Sequence, residues 1–182
     1  MIATSGRTMV LGCAVFLALS SAAAAETAGP PDPAIYSLLE TFHGHVCAGS
    51  LFGARLGHAA KEALAAAGGE GKLKATYYDL SCPVDGIQVA AGTTYGNGAL
   101  VVKDQNRHRL ILSAEKNKRQ VEARLTRKAE GLGNSTRELR KKAGSLPKDS
   151  PDRKRLEQEV NEILEWLRTA PTAEVVTIKP VR

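Results

Sequence analysis

Phe42-His43-Gly44-His45-Val46-Cys47-Ala48-Gly49-Ser50-Leu51-Phe52-Gly53-Ala54-Arg55-Leu56-Gly57 is the stretch on which the reading of this chain turns. Its first half crowds two imidazoles and a thiol into five positions, and its second half places glycine at every fourth residue. That spacing sets Gly49, Gly53 and Gly57 on one face of a helix predicted to run from about Cys47 to Ala67 and to close at Gly68-Gly69. Each glycine costs a helix about 1 kcal/mol relative to alanine, so three on one face imply that another backbone or a bound group comes very close. Imidazole and thiolate are ligands for transition metals, and a metal site needs a further donor from elsewhere in the chain. Beyond the N-terminal apolar run the only other cysteine is Cys82, just ahead of a second helical start, Pro83-Val84-Asp85-Gly86-Ile87-Gln88. His43, His45, Cys47 and Cys82 are therefore the candidate functional residues.

Working outward, Asp32-Pro33 followed by Ile35, Leu38, Leu39 and Phe42 predicts a capped, proline-started helix that delivers the histidines. Leu73 to Leu80 reads as a strand, and Val84 to Ala91 as a short helix ended by Gly92. The apolar runs Ala99 to Lys103 and His108 to Leu112, separated by Asp104-Gln105-Asn106-Arg107, predict a β-hairpin, and Glu174 to Lys179 a last strand. Glu115 to Ala170 is rich in Lys, Arg and Glu. It predicts a helical hairpin turning near Gly144-Ser145-Leu146-Pro147, with Gly131-Leu132-Gly133-Asn134 interrupting the first helix and an apolar face on the second at Leu156, Val160, Ile163, Leu164 and Leu167. Helices and strands without a regular βαβ rhythm indicate an α+β fold. The sheet is expected to be mixed or antiparallel and packed with helices, the basic helical hairpin being inserted before the last strand. The division expected is a segment 1–25, a core 26–115, a basic segment 116–170 and a returning strand 171–182. Because residues 116–170 hold no cysteine or histidine, the metal site is expected not to need them.

The N-terminal residues have the pattern of a secretory signal, with Arg7, an apolar run from Met9 to Leu19, and Ala23-Ala24-Ala25 as a cleavage site before Glu26. Export is the expectation, periplasmic in a Gram-negative host. Cys13 precedes most of the apolar run, which argues against lipidation there. The 182-residue chain carries a net charge of +6, unevenly distributed. Residues 26–102 hold 4 basic and 7 acidic side chains, whereas residues 103–182 hold 20 and 12. In an exported chain, paired cysteines often form a disulfide, so a Cys47–Cys82 bridge stands beside metal ligation as a reading. Nucleic acid is not an expected partner: the basic residues are interleaved with glutamates, and Trp166 is almost the only aromatic among them. A membrane surface or other anionic partner for that segment is the third reading of the chain, after metal binding and enzymatic use of the site.

Three stretches together, FHGHVCAGSLFGARLG at 42–57, CPVDGIQ at 82–88 and GTTYGNGAL at 92–100, resemble the formylmethanofuran dehydrogenase E-subunit family. Its pattern runs His-Gly-His-x-Cys-Pro-Gly, then a cysteine before Val-Asp-Ala-Ile-Gln, then Gly-Cys-Thr-x-Gly-Lys-Gly-Asn-Leu. The resemblance covers residues 33–115 and implies that His45, Cys47 and Cys82 are the metal or active-site residues, with His43 as their neighbour. It also implies a homodimer. Thr93 stands at the family's third cysteine and Asn97 at its lysine, so no site of three thiols can form. No cysteine follows Cys82, and the C-terminal zinc ribbon carried by many members is therefore missing.

Asp85 and Gln88, on the helix after Cys82, and Thr93 are the residues expected to support the ligands by hydrogen bonds. Arg55 is expected to pair with an acidic neighbour, and His108 to lie at the surface. The function expected is binding of a zinc, iron or nickel ion, or of a metal-containing small ligand, for capture or delivery outside the cytoplasm. The alternative is a periplasmic enzyme using the same residues for redox or metal-assisted chemistry.

Overall fold

The structure is a computed structural model that describes residues 29–181; the signal-sequence reading of residues 1–25 and Cys13 lies outside them. The elements in chain order are α1 (Pro33–His43), α2 (Ala48–Ala66), β1 (Leu73–Tyr77), α3 (Pro83–Ala91), β2 (Leu100–Val102), β3 (Arg109–Ala114), β4 (Gln120–Leu125), α4 (Arg127–Gly144), α5 (Pro151–Thr169), α6 (Thr172–Val175) and β5 (Val176–Val181). The fold is α+β. Its five strands form one mixed sheet in the order β2-β1-β3-β4-β5, with β1 and β2 parallel and the other pairs antiparallel. None of the described helices is long and apolar enough to cross a membrane.

Alternation along β3 and β4 buries Leu110, Leu112 and Ala114 with Val121, Ala123 and Leu125, and α2 packs on the sheet. Helix α2 is buried along most of its length, which makes it the core of the domain rather than a surface element. Its glycine face meets α3. A Cβ on Gly53 would collide with the Pro83 carbonyl, and one on Gly57 would come within 3.2 Å of the Ala90 Cβ. In return, Gly86 of α3 admits the Ser50 carbonyl of α2. The close approach implied by the four-residue glycine spacing is thus helix backbone against helix backbone.

Three expectations about the elements are corrected. Strands β2 and β3 do not form a hairpin, because β1 lies between them and pairs with both. The connection from Lys103 to His108 passes over the end of β1, where the amides of Lys103, Gln105 and Arg107 donate to the Tyr77 and Tyr78 carbonyls. The hairpin that does form is β3–β4. Its second strand, Gln120–Leu125, lies inside the segment expected to be helical, so the sheet crosses the boundary drawn at residue 115 and residues 116–170 cannot be a detachable appendage. Finally, α4 is unbroken through its glycines. Gly133 is buried where a Cβ would strike the Phe52 ring of α2, so this glycine docks the helix instead of ending it. Helices α4 and α5 do form a helical hairpin, and Leu156, Val160, Ile163, Leu164 and Leu167 are its buried face.

Arg55 is 1% exposed and, contrary to the expected ion pair, has no carboxylate partner among the described residues. Its guanidinium donates to the Arg168 carbonyl at 2.9 Å and the Ala170 carbonyl at 2.6 Å, satisfying the open C-terminal end of α5. His108 is half-buried, with Nδ1 2.7 Å from the Tyr77 hydroxyl and 3.5 Å from Asp79. The Ser81 hydroxyl donates to the same Asp79 carboxylate, so this network braces the turn that carries Cys82.

Candidate metal centre

Cys47 and Cys82 occupy the N-cap positions of α2 and α3. The glycine contact between these helices sets the two caps side by side, and a Cβ on Gly49 would lie 2.9 Å from the Cys82 Cβ and 3.7 Å from the Cys47 sulfur. Helix α1 ends at His43 because Gly44 takes a left-handed conformation (φ 81°), which reverses the chain toward α2. His43, Cys47 and Cys82 consequently present donor atoms within 4.8 Å of one another, and both thiols are free.

Cys47 caps its own helix. Its sulfur accepts the Ser50 amide at 3.3 Å, while the Ser50 hydroxyl accepts the Cys47 amide at 3.1 Å. Burial alone would raise the Cys47 thiol. The hydrogen bonds from the Ser50 amide and hydroxyl, from His43 and from Cys82 outweigh it and hold Cys47 below the ordinary thiol range. Cys82 moves the other way, raised by burial and then by the charge on Cys47. Two adjacent thiols of which one ionises readily and the other resists are an arrangement that a cation between them would relieve.

Behind the thiols, Asp85 Oδ2 stands 2.6 Å from His43 Nδ1, and His43 Nε2 stands 3.8 Å from the Cys47 sulfur. Burial would lower the His43 pKa, but the hydrogen bonds to Asp85 and Cys47 prevail and raise it. Gln88 donates to the other Asp85 oxygen at 3.3 Å and accepts the Tyr95 amide at 2.9 Å. The series from Tyr95 through Gln88 and Asp85 fixes the imidazole with Nε2 toward the thiols. A carboxylate on one ring nitrogen, with the other turned to the thiols, is how a metal-ligating histidine is oriented. Bond lengths to zinc of about 2.0–2.3 Å place neighbouring nitrogen and sulfur donors about 3.6 Å apart, near the spacing seen here. The donor set therefore fits a soft or borderline divalent metal.

His45 is placed differently. It is exposed and lies against the His43 ring, with centroids 4.7 Å apart, outside the group of three. Thr93, just past the Gly92 cap of α3, is 1% exposed, and its hydroxyl has no hydrogen-bond partner among the described residues. Sequence reasoning gave no sign of the α4 side chains near Cys47. A cleft of about 450 Å³ separates Cys47 and Gly49 from Asn134, Arg137 and Arg140. The signal was present as an i, i+3, i+6 spacing of polar residues, but a charged helix shows that pattern on any face.

A family model described as "FmdE, Molybdenum formylmethanofuran dehydrogenase operon" matches residues 42–177. The chain belongs to the FmdE family. The match runs through the basic segment, in agreement with the place of β4 in the sheet. The fold is also similar to the crystal structure of a tungsten formylmethanofuran dehydrogenase FmdE-like protein from Syntrophus aciditrophicus. That likeness has a TM-score of 0.55 and 21% identity over 82% of this chain and 71% of that one. No curated protein matches the sequence.

Proposed function

We propose that this FmdE-family protein is an exported metal-binding protein that holds one transition-metal ion through His43, Cys47 and Cys82. Its role on this reading is capture or delivery of the ion, or of a small ligand containing it. The observation that carries the reading is the convergence of three donor side chains on the paired helix N-termini, with Asp85 behind His43. Two sulfurs and one imidazole favour zinc, with iron and nickel as the other candidates. Elemental analysis of protein purified from its native compartment tests the proposal. Substoichiometric metal in freshly isolated, reduced protein would count against it.

A metal-assisted or redox enzyme is the second reading. It is favoured by the three-donor group among the described residues, since structural zinc sites take four protein ligands and sites with three keep a position for water or substrate. The Asp85–His43–Cys47 series would also serve a thiolate nucleophile. Export rests on residues 1–25 and is tested by the intact mass of the natural protein, expected to begin near Glu26.

A second copy of this chain is the proposed partner. Leu38 and Phe42 are 56% and 54% exposed one turn apart on α1, with Phe42 next to His43 in sequence, and Leu80 is 67% exposed two residues before Cys82, large apolar side chains that a partner would cover. Light scattering on the purified protein reads the mass directly, and a monomer at micromolar concentration would refute the dimer.

A further inference from the structure

The cleft beside Cys47 has one wall from the first turn of α2 and the other from the basic helix α4. Asn134, Arg137 and Arg140 stand three residues apart and therefore on one face of α4, directed at this cleft. Arg140 reaches across it, with a long hydrogen bond of 3.5 Å to the Val46 carbonyl. That contact brings the guanidinium next to Cys47, and among the described residues its other N–H groups have no hydrogen-bond partner. Of the other described arginines, Arg109, Arg124, Arg153, Arg155 and Arg168 have carboxylate partners, whereas Arg55, Arg107, Arg119 and Arg127 have none, so what sets Arg137 and Arg140 apart is their place on the cleft beside Cys47. Among the described residues no carboxylate lies within ion-pair reach of Arg137 or Arg140.

We propose that this cleft binds a small molecule through a carboxylate or phosphate group, held by Arg137 and Arg140 beside the Cys47 sulfur. Guanidinium groups grip such oxyanions with paired N–H donors, and Asn134 adds a side-chain amide. The cleft, about 450 Å³, is open to solvent, and Asn134, Arg137 and Arg140 are exposed along it, so an anionic group can enter without displacing protein. The inference deepens the metal-centre reading and rests on it only for the use of the site: a bound cation would neutralise the thiolate charge and tighten the anion, while the two arginines hold the anion without it. It also gives the basic segment a role, since α4 supplies the anion-binding wall while α2 and α3 supply the thiols.

The test is the chemistry of Cys47 itself in reduced, chelator-treated full-length protein, read by mass spectrometry of the Cys47 peptide. Iodoacetate is anionic and iodoacetamide is neutral, so the ratio of their alkylation rates reports the charge of the cleft and cancels changes in thiolate population. In R137Q/R140Q this ratio is expected to fall about 10-fold. In K141Q/K142Q, which removes two exposed charges of α4 that do not line the cleft, it is expected to hold. Inorganic phosphate and succinate, tested separately, should slow iodoacetamide labelling of the wild type saturably, and whichever protects identifies the anionic group. Failure of both anions to protect the wild type overturns the proposal even if the double variant does not fold. An unchanged ratio in R137Q/R140Q, or an equal fall in both pairs, overturns it as well. Metal content of the untreated wild type, measured in parallel, should be about one ion per chain; its absence with anion protection intact would strike the metal reading alone.

Discussion

Asp85 Oδ2 lies 2.6 Å from His43 Nδ1, joining the first turn of α3 to the last residue of α1 across the pair of thiols. This contact fixes which imidazole nitrogen faces Cys47. In Asp85→Asn the ring loses its anionic partner, and metal affinity is expected to drop about 10–100-fold while saturating metal still fills the site. Competition against a chelator of known affinity checks this. An affinity equal to wild type would show that His43 is not held for ligation.

Two glycines of α4 should respond in opposite directions. Gly131 faces open space, so Gly131→Ala is expected to stabilise the protein by about 0.5–1 kcal/mol through helix propensity. At Gly133 an added Cβ runs into Phe52, so Gly133→Ala is expected to cost about 1–3 kcal/mol. Urea unfolding of the two variants measures both signs, and equal signs would contradict the docking of α4 on α2.

How much of this was legible in the sequence varies with the physics involved. The Gly49, Gly53 and Gly57 spacing announced a close backbone approach, because nothing else offsets the cost of glycine in a helix, and α3 is what approaches. The α2 and α5 faces followed from periodicity, as did the α+β class. Strand β4 was hidden although Val121, Ala123 and Leu125 alternate with Gln120, Glu122 and Arg124, because its outer residues share the charge of the helices around it. The false β2–β3 hairpin arose because loop length alone cannot reveal that β1 takes the place between them. Histidine roles were the least legible. His43 and His45 are chemically equal in the sequence, and only the left-handed turn at Gly44 determines which ring meets Asp85.

His108 is expected to matter for stability and not for metal. Its ring partners the hydroxyl of Tyr77, a residue with no solvent exposure, so His108→Ala strands a buried hydroxyl at a cost of about 1–3 kcal/mol. Thermal unfolding should register that cost while elemental analysis shows unchanged metal. Loss of metal in a folded His108→Ala protein would mean that the Asp79–Ser81 network positions Cys82 more directly than described.

On the acid side, Glu122 provides a pH dependence of known sign. Burial works to raise its pKa, but hydrogen bonds from Arg124 and Arg109, each 2.6 Å long, prevail and hold it below the ordinary carboxylate value. Its contribution to stability is therefore complete above the unfolded-state pKa and is lost as the pH falls through the lower folded-state value. Glu122→Gln should be less stable than wild type at neutral pH, with the difference shrinking as the solution is acidified. A difference that stays constant through the carboxylate range would show that the two arginines do not act through charge.

The most direct test of the central claim is metal content per chain in His43→Ala, Cys47→Ser, Cys82→Ser and His45→Ala, each isolated reduced and folded beside the wild type. Wild type and His45→Ala should carry about one ion each, and the other three should carry little or none, with both wild-type thiols resisting alkylation until a chelator is added. Wild-type metal content in both serine variants, together with an isolated protein two protons lighter from a Cys47–Cys82 disulfide, would contradict the account.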